Sequence, residues 1–365
     1  MPAIPPKRPI RFFNTTGPCF PWDHYMLPPA NNRISNKLNK YIKDKFYWIL
    51  HVPRQIGKTT FLLQWVREIN SDDKAVAYYI SVEACHSITN IAEVNKTINK
   101  IICMASNIEI FSMQEITNTQ TELLLYRTMY KWVEMIAPKP LIFFFDEIDL
   151  LNRDALINFL RQLQNRNPEH EPGKFPVSIV LVTRRDINEY ITTVNNEIVH
   201  NKDYPVYIKD DTIFLSKFSK DDISSLFTQR TEETGQQITD EALDYTYKQS
   251  SGQPWVVNSL FERATMRVLK ADDYSTITRG HIEKAREQII QAEETHLINM
   301  EVCLRYPKIN NIIKSILAGN NNKMSFDNSD VELAMDLGIV LFENGVLSIA
   351  NPIYHEAFER LIYSR

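Results

Sequence analysis

Two short groups of residues carry most of the chemistry open to this sequence. The first is Gly57-Lys58-Thr59-Thr60, in the stretch HVPRQIGKTT at 51–60. A glycine, a lysine and a hydroxyl in that order are the parts of a phosphate-gripping loop. Consecutive backbone N–H groups wrap the phosphates, helped by the positive end of the following helix. Here Pro53, Arg54, Gln55 and Ile56 would form the loop and Gly57 would permit close backbone approach. Lys58 would neutralise the β- and γ-phosphates, Thr59 would ligate Mg2+, and Thr60 would reach toward the α-phosphate. The full pattern G-x-x-x-x-G-K-[ST] begins with another glycine five places before Gly57, where Val52 and then Pro53 stand instead. That position mainly shapes the exit from the preceding strand, whereas the later amides build the anion nest. The other reading of these residues is an ordinary helix start.

The second group is Asp146-Glu147 in LIFFFDEIDLL, 141–151. An aspartate at the C-terminal tip of a buried strand can bind Mg2+, and the adjacent glutamate can orient or deprotonate an attacking water. Taken alone, the pair could also be a solvated loop; an upstream phosphate loop turns it into a Walker B pair with Glu147 as the catalytic carboxylate. Asp149 would cap the next helix. A further run ends in Thr183-Arg184-Arg185-Asp186. Arg184 at that tip could sense the γ-phosphate or stabilise its transition-state charge, while both arginines, Arg185 more so, could form surface ion pairs. Arg153 and Arg161 are candidates for contacts in trans. Gly252-Gln253-Pro254-Trp255 joins two helical patterns, with a proline suited to a first turn and an apolar edge that could meet an adenine ring.

These residues need elements to hold them. Apolar runs with β-branched and aromatic residues recur at 46–52, 76–82, 141–146, 177–183 and 212–216. All but the fourth lack clear polar alternation, as expected of strands covered on both faces. Between them lie helical patterns at 61–69, around 91–136 and at 155–164, and a polar helical stretch at 31–45 precedes the first run. Alternating strands and helices predict an α/β fold: a parallel P-loop sheet with flanking helices. From Lys217 only helices are expected, two of them ending at Gly235 and Gly252. Residues 300–365 read as helix, helix, a hairpin around Glu343-Asn344-Gly345 and a last helix after Pro352, the order of a winged-helix module. The expected domains are an N-terminal strap (1–30), the α/β ATPase-type domain (31–216), a helical lid (217–299) and the winged-helix-like domain (300–365).

Composition excludes several alternatives. Only 9 of 365 residues are glycine, so each one is expected to occupy a position that requires it. A net charge of -4 gives no global field for nucleic acid. Four dispersed cysteines form no C-x-x-C pair, which speaks against a zinc knuckle or a disulfide framework and for a reducing, cytoplasmic setting. The opening MPAIPPKRPIRFF has prolines where a signal peptide carries its apolar run, and no apolar stretch reaches the ~18 residues of a membrane span. A soluble, unexported protein is expected.

With these residues placed, the chain resembles the P-loop ATPases of the AAA+/STAND group. The motifs that carry the resemblance are PRQIGKTT, LIFFFDEID, VLVTRRD and GQPW followed by a winged helix. It is also similar, nearly end to end, to a bacterial family of AAA-like ATP-binding proteins, through RFFNTTGPCFPWDHYMLPP, HVPRQIGKTT, GQPWVVNSL, EETHL, DLGIV and IANPIYHEAF. That family's loop likewise lacks the first glycine. The resemblance implies ATP and Mg2+ as ligands, with Gly57, Lys58, Thr59 and Thr60 on phosphates and metal, Asp146 and Glu147 on metal and water, and Arg184 as sensor. It implies Pro254 beside the adenine, and Asp23, His24, Tyr25 and Met26 lining the base, although the latter four could equally form a strap packed on the core. Initiator-type members carry an arginine shortly after the G-x-P turn. Val256, Val257 and Asn258 stand there in this chain, which favours a STAND-like switch.

The leading expectation is therefore an ATPase that acts as a nucleotide-controlled switch, with ATP or ADP as ligand and a protein partner or a second copy receiving the output. An effector segment is not expected after the last helix, and a separate protein is expected to supply the output. The alternatives are a DNA reader built on the winged helix and a scaffold that binds nucleotide without hydrolysis. Residues 300–365 hold six Lys/Arg against eight Asp/Glu, a net of -2 that disfavours DNA, and the intact Glu147 argues against the scaffold.

Overall fold

The computed structural model describes residues 11–27, 47–51, 56–106, 123–164, 175–183, 208–214, 217–271, 273–291, 300, 303–321, 326–343 and 345–363. The helical stretch expected at 31–45 lies outside them. The chain forms two compact units. One comprises Pro29–Val52 and Phe61–Leu215; the other comprises Met1–Pro28, Pro53–Thr60 and Ser216–Arg365.

The first unit is built on strands β1 (Tyr47–His51), β2 (Val76–Ser81), β3 (Leu141–Asp146), β4 (Ser178–Thr183) and β5 (Ile208–Phe214). They form one sheet in the order β2-β3-β4-β1-β5, every neighbouring pair parallel. The α/β class expected from the sequence is the one observed. Helices α1 (Lys58–Ser71), α2 (Ile91–Ser106), α3 (Leu124–Ile136) and α4 (Arg153–Gln164) intervene between the strands. Every residue of β3 and β4 is buried, Ser178 and Thr183 included. The period-2 geometry of a strand sends alternate phenylalanines of β3 to opposite faces. Phe143 and Phe145 join Trp132 and Phe159 in one core, while Phe144 meets Trp65 of α1 edge-on at 4.9 Å. A continuous apolar run is what such two-sided burial demands. The expected long helical segment around 91–136 contains α2 and α3, with 107–122 outside the described residues.

The second unit has helices α5 (Lys220–Thr234), α6 (Asp240–Ser250), α7 (Pro254–Arg263) and α8 (Arg279–Gln291), with a π-type turn at Ala264–Val268. Ser219 and Asp222 form a reciprocal capping box at the start of α5, and Gly235 closes it at φ 80°. The next cap differs from expectation. Ser251, at φ 49°, takes the left-handed position after α6, and Gly252 follows at φ 72°. A Cβ on Gly252 would lie 2.1 Å from the carbonyl oxygen of Phe218, so close approach is what requires glycine there.

Residues 11–27 pack into this unit: Phe13 and Tyr25 are buried in its core, with Phe13 stacked on Phe227. Arg11 pairs with Glu233 at 2.9 Å, and the Trp255 indole N–H donates to Thr15 O at 3.0 Å. The C-terminal part runs α9 (Pro307–Leu317), α10 (Asn328–Asp336), the antiparallel hairpin β6 (Val340–Glu343) and β7 (Val346–Ile349), then α11 (Pro352–Tyr363). Among the described residues, no helix is long and apolar enough to cross a membrane.

Candidate functional site

In a parallel sheet all strand ends of one kind lie along one edge, and there the chemistry-bearing residues gather. The register sets Ser81 opposite Asp146, Asp146 opposite Val182, and Thr183 opposite His51. The C-terminal tips of β2, β3, β4 and β1 thus form a row, and β1 is the strand that leads to the glycine loop.

Asp146 is fully buried. A carboxylate without water must be hydrogen-bonded. Its Oδ2 accepts from the Tyr79 hydroxyl at 2.9 Å and its Oδ1 from the Glu147 N–H at 2.8 Å. Glu147 itself adopts a left-handed backbone, φ 65° and ψ 30°, unusual for a residue with a Cβ. That turn aims its half-buried side chain back along the edge, where Oε2 accepts from Ser81 Oγ at 2.8 Å. One strand, β2, therefore supplies hydroxyls to both carboxylates through residues two apart on one face. Tyr79 and Ser81 were not singled out in the sequence; the available signal was polar oxygen at the end of the apolar run VAYYIS. Thr183 was also passed over in favour of Arg184. It is fully buried, and among the described residues its Oγ1 has no hydrogen-bond partner.

Asp149 does not cap α4. Asn152 does: its Oδ1 accepts the Ala155 N–H at 3.0 Å and its Nδ2 donates to Ile88 O at 2.7 Å. Asn152 stands directly before the first helical residue, whereas Asp149 falls in a short 3-10 turn at Ile148–Leu150.

The glycine loop is described from Ile56 onward; Pro53, Arg54 and Gln55, like Arg184 and Arg185, lie outside the described residues. Gly57 sits at φ 82° with open space where a Cβ would be, so conformation alone selects glycine. Lys58 is the first residue of α1 and Thr59 the second, placing both in the turn whose N–H groups lack helical acceptors. A left-handed glycine at a helix start is the backbone form of an anion nest. The Thr60 hydroxyl accepts the Cys19 N–H at 2.9 Å. Burial pushes the Cys19 thiol above its ordinary pKa.

Tyr25 is fully buried, its ring 4.8 Å from that of Phe13 with the Arg11 guanidinium carbon 5.0 Å above it. Burial raises its hydroxyl to about 12. His24 Nδ1 accepts the Phe20 N–H at 2.8 Å. Pro254 opens α7 and is buried.

Among the described residues, no group of three or more His, Cys, Asp or Glu could hold a metal ion. Of the two residues expected to hold Mg2+, Thr59 belongs to one compact unit and Asp146 to the other.

Compared with protein-family models the sequence matches none, and no curated protein matches it. Solved structures do. The Walker-type ATPase paby2304 of Pyrococcus abyssi is similar over 92% of this chain and 99% of its own, with a TM-score of 0.62 at 13% identity. The ORC2 protein of Aeropyrum pernix, solved as ADPNP and ADP complexes, is similar over 93% and 96%, with a TM-score of 0.55 at 13% identity. The chain has the P-loop ATPase fold.

Proposed function

We propose that this protein binds ATP with Mg2+ and hydrolyses it as an AAA+/STAND-like conformational switch. The observation that carries the reading is the row at the sheet edge: buried Asp146 and left-handed Glu147, each held by a hydroxyl from β2, on the sheet whose β1 feeds Gly57-Lys58-Thr59. Carboxylates are not kept by chance in a dry strand end and a strained turn.

In this reading the amides from Ile56 to Thr60 and the Lys58 ammonium bind the phosphates, with Pro53, Arg54 and Gln55 completing the loop. Thr59 and Asp146 would hold the metal, which would supply positive charge against the phosphates. Glu147 has one oxygen engaged by Ser81 and uses the other to orient a water and accept its proton. The Thr183 hydroxyl, without a hydrogen-bond partner among the described residues, and Arg184 are the groups at the β4 end assigned to the γ-phosphate. Pro254 is assigned to the base side. The strap joins it through the backbone of Asp23–Met26, because the Tyr25 ring is engaged within its own core.

We assign the helical segment 217–299 to lid movements and the winged-helix-like segment 300–365 to a protein partner or a second copy. Its net charge of -2 supports that assignment over DNA. The sequence composition supports a cytoplasmic setting.

Nucleotide content and ATP turnover of the wild type beside Lys58→Ala and Glu147→Gln test the reading. Lys58→Ala is expected to lose bound nucleotide. Glu147→Gln is expected to retain ATP with turnover down roughly 100-fold or more, the scale of losing a general base. Nucleotide-free wild type would sink the proposal, and bound but unhydrolysed ATP in all three would make the protein a scaffold.

A further inference from the structure

Gln253 of GQPW and the segment IANPIYHEAF have no role in the chemistry above, and the structure joins them. Asn351 Nδ2 donates to Gln253 Oε1 at 2.6 Å. The Tyr354 hydroxyl is hydrogen-bonded to the same Gln253 side chain, and burial drives its pKa upward. Gln253, Asn351 and Tyr354 are each no more than 3% exposed. Asn351 also caps α11, its Oδ1 accepting the Tyr354 N–H at 2.9 Å. A polar cluster at this depth holds one arrangement, because each lost partner leaves a dry donor or acceptor.

The same turn is tied in two further directions. The Phe218 N–H donates to Gly252 O at 2.8 Å, at a crossing too close for any Cβ. Trp255 Nε1 donates to Thr15 O in the strap, and the strap reaches the glycine loop through Cys19 N–H to Thr60 Oγ1. Asn14 links these two strap contacts by donating to Gly17 O and Pro18 O. On the far side, Ala350 N–H donates to Ile339 O at the base of the hairpin. Bonds therefore run without a break from the helix that opens at Lys58, through the strap and the Gly252–Trp255 turn, to the C-terminal hairpin and helix.

We propose that the nucleotide state of the glycine loop is communicated to the hairpin 340–349 and helix α11 through the strap and the Gln253-Asn351-Tyr354 cluster. This rests on the nucleotide-binding reading above. Thr60 stands at the loop end of the path, so a phosphate that draws its hydroxyl away releases the Cys19 amide and loosens the strap. Gln253 is the pivot at which the strap-bound turn meets α11. Gln253, Asn351 and Tyr354 act as positioning residues, away from the reacting atoms.

The test is amide hydrogen exchange on the full chain, without nucleotide, with Mg-ADP and with a non-hydrolysable Mg-ATP analogue. In the wild type, nucleotide is expected to slow exchange at 56–71, and residues 340–360 are expected to differ between the two nucleotides by about threefold or more. Tyr354→Phe removes one hydroxyl at constant shape. Asn351→Ser keeps a helix cap but is too short for Gln253. Both variants are expected to keep the response at 56–71 and lose the difference at 340–360. A wild type protected at 56–71 with no difference at 340–360 overturns the coupling and leaves the nucleotide reading standing. Variants that respond like the wild type overturn the role of the cluster. No protection at 56–71 in the wild type overturns both.

Discussion

Tyr79 supplies a partner to a fully buried carboxyl group: its hydroxyl satisfies one side of Asp146. Tyr79→Phe is expected to cost about 1–3 kcal/mol, the penalty for withdrawing a partner from a buried acceptor, read by urea denaturation. Mg-nucleotide should recover part of the loss, and an unchanged midpoint would remove Tyr79 from the site. His24 provides a pH signature. Burial holds its imidazole below the ordinary 6.5, against the opposing pull of Asp23, and Nδ1 must stay unprotonated to accept the Phe20 N–H. The unfolded chain binds that proton more readily, so this contribution is full above about pH 6.5 and is lost as pH falls through the lower folded value. The expected result is a steeper decline of Tm from pH 7.5 to 5.5 in the wild type than in His24→Gln, which accepts without titrating. Parallel curves would show that His24 does not govern the strap.

At the level of elements, two glycines with similar φ separate conformation from space. Gly57→Ala meets only left-handed strain, about 1–2 kcal/mol, and is expected to weaken nucleotide binding without unfolding the protein. Gly252→Ala meets the same strain and the Phe218 carbonyl besides, an expected loss of about 2–5 kcal/mol in denaturant. Equal losses at the two sites would contradict the close crossing. The same contrast between local and distant causes explains what the sequence disclosed. Strand β3 was legible because LIFFFD is dry on both faces, which an apolar run announces. β5 begins at Ile208, earlier than the expected 212, because its first half, IKDD, carries no apolar signal. α1 begins at Lys58 and not at Phe61 for the same reason: Lys-Thr-Thr precede its apolar face. The cap at Asn152 and the hydroxyls of Tyr79 and Ser81 required knowledge of strand register. The Gln253–Asn351 bond spans 98 positions and leaves no local trace.

On the scale of the whole molecule, each compact unit has a core of its own, so unfolding is not expected to be a single two-state event. Trp48, Trp65 and Trp132 are buried in the sheet unit, and Trp255 in the other. Phe143→Ala is expected to move a tryptophan-detected transition by about 3–5 kcal/mol while leaving a second one in place, and Phe227→Ala to do the reverse. One transition shifted equally by both variants would show a single cooperative block.

The docking of the strap also fixes an order of events during synthesis. Arg11 finds its partner Glu233 after 222 further residues, and Thr15 finds Trp255 after 240. The whole sheet unit is synthesised before either partner exists. Phe13 and Tyr25 therefore wait for their seats until α5 and α7, which carry Phe227 and Phe261, have been made. In the growing chain the strap is an early guest with a late host, and a stall before residue 233 leaves its aromatic residues open to every other hydrophobic surface in the cell.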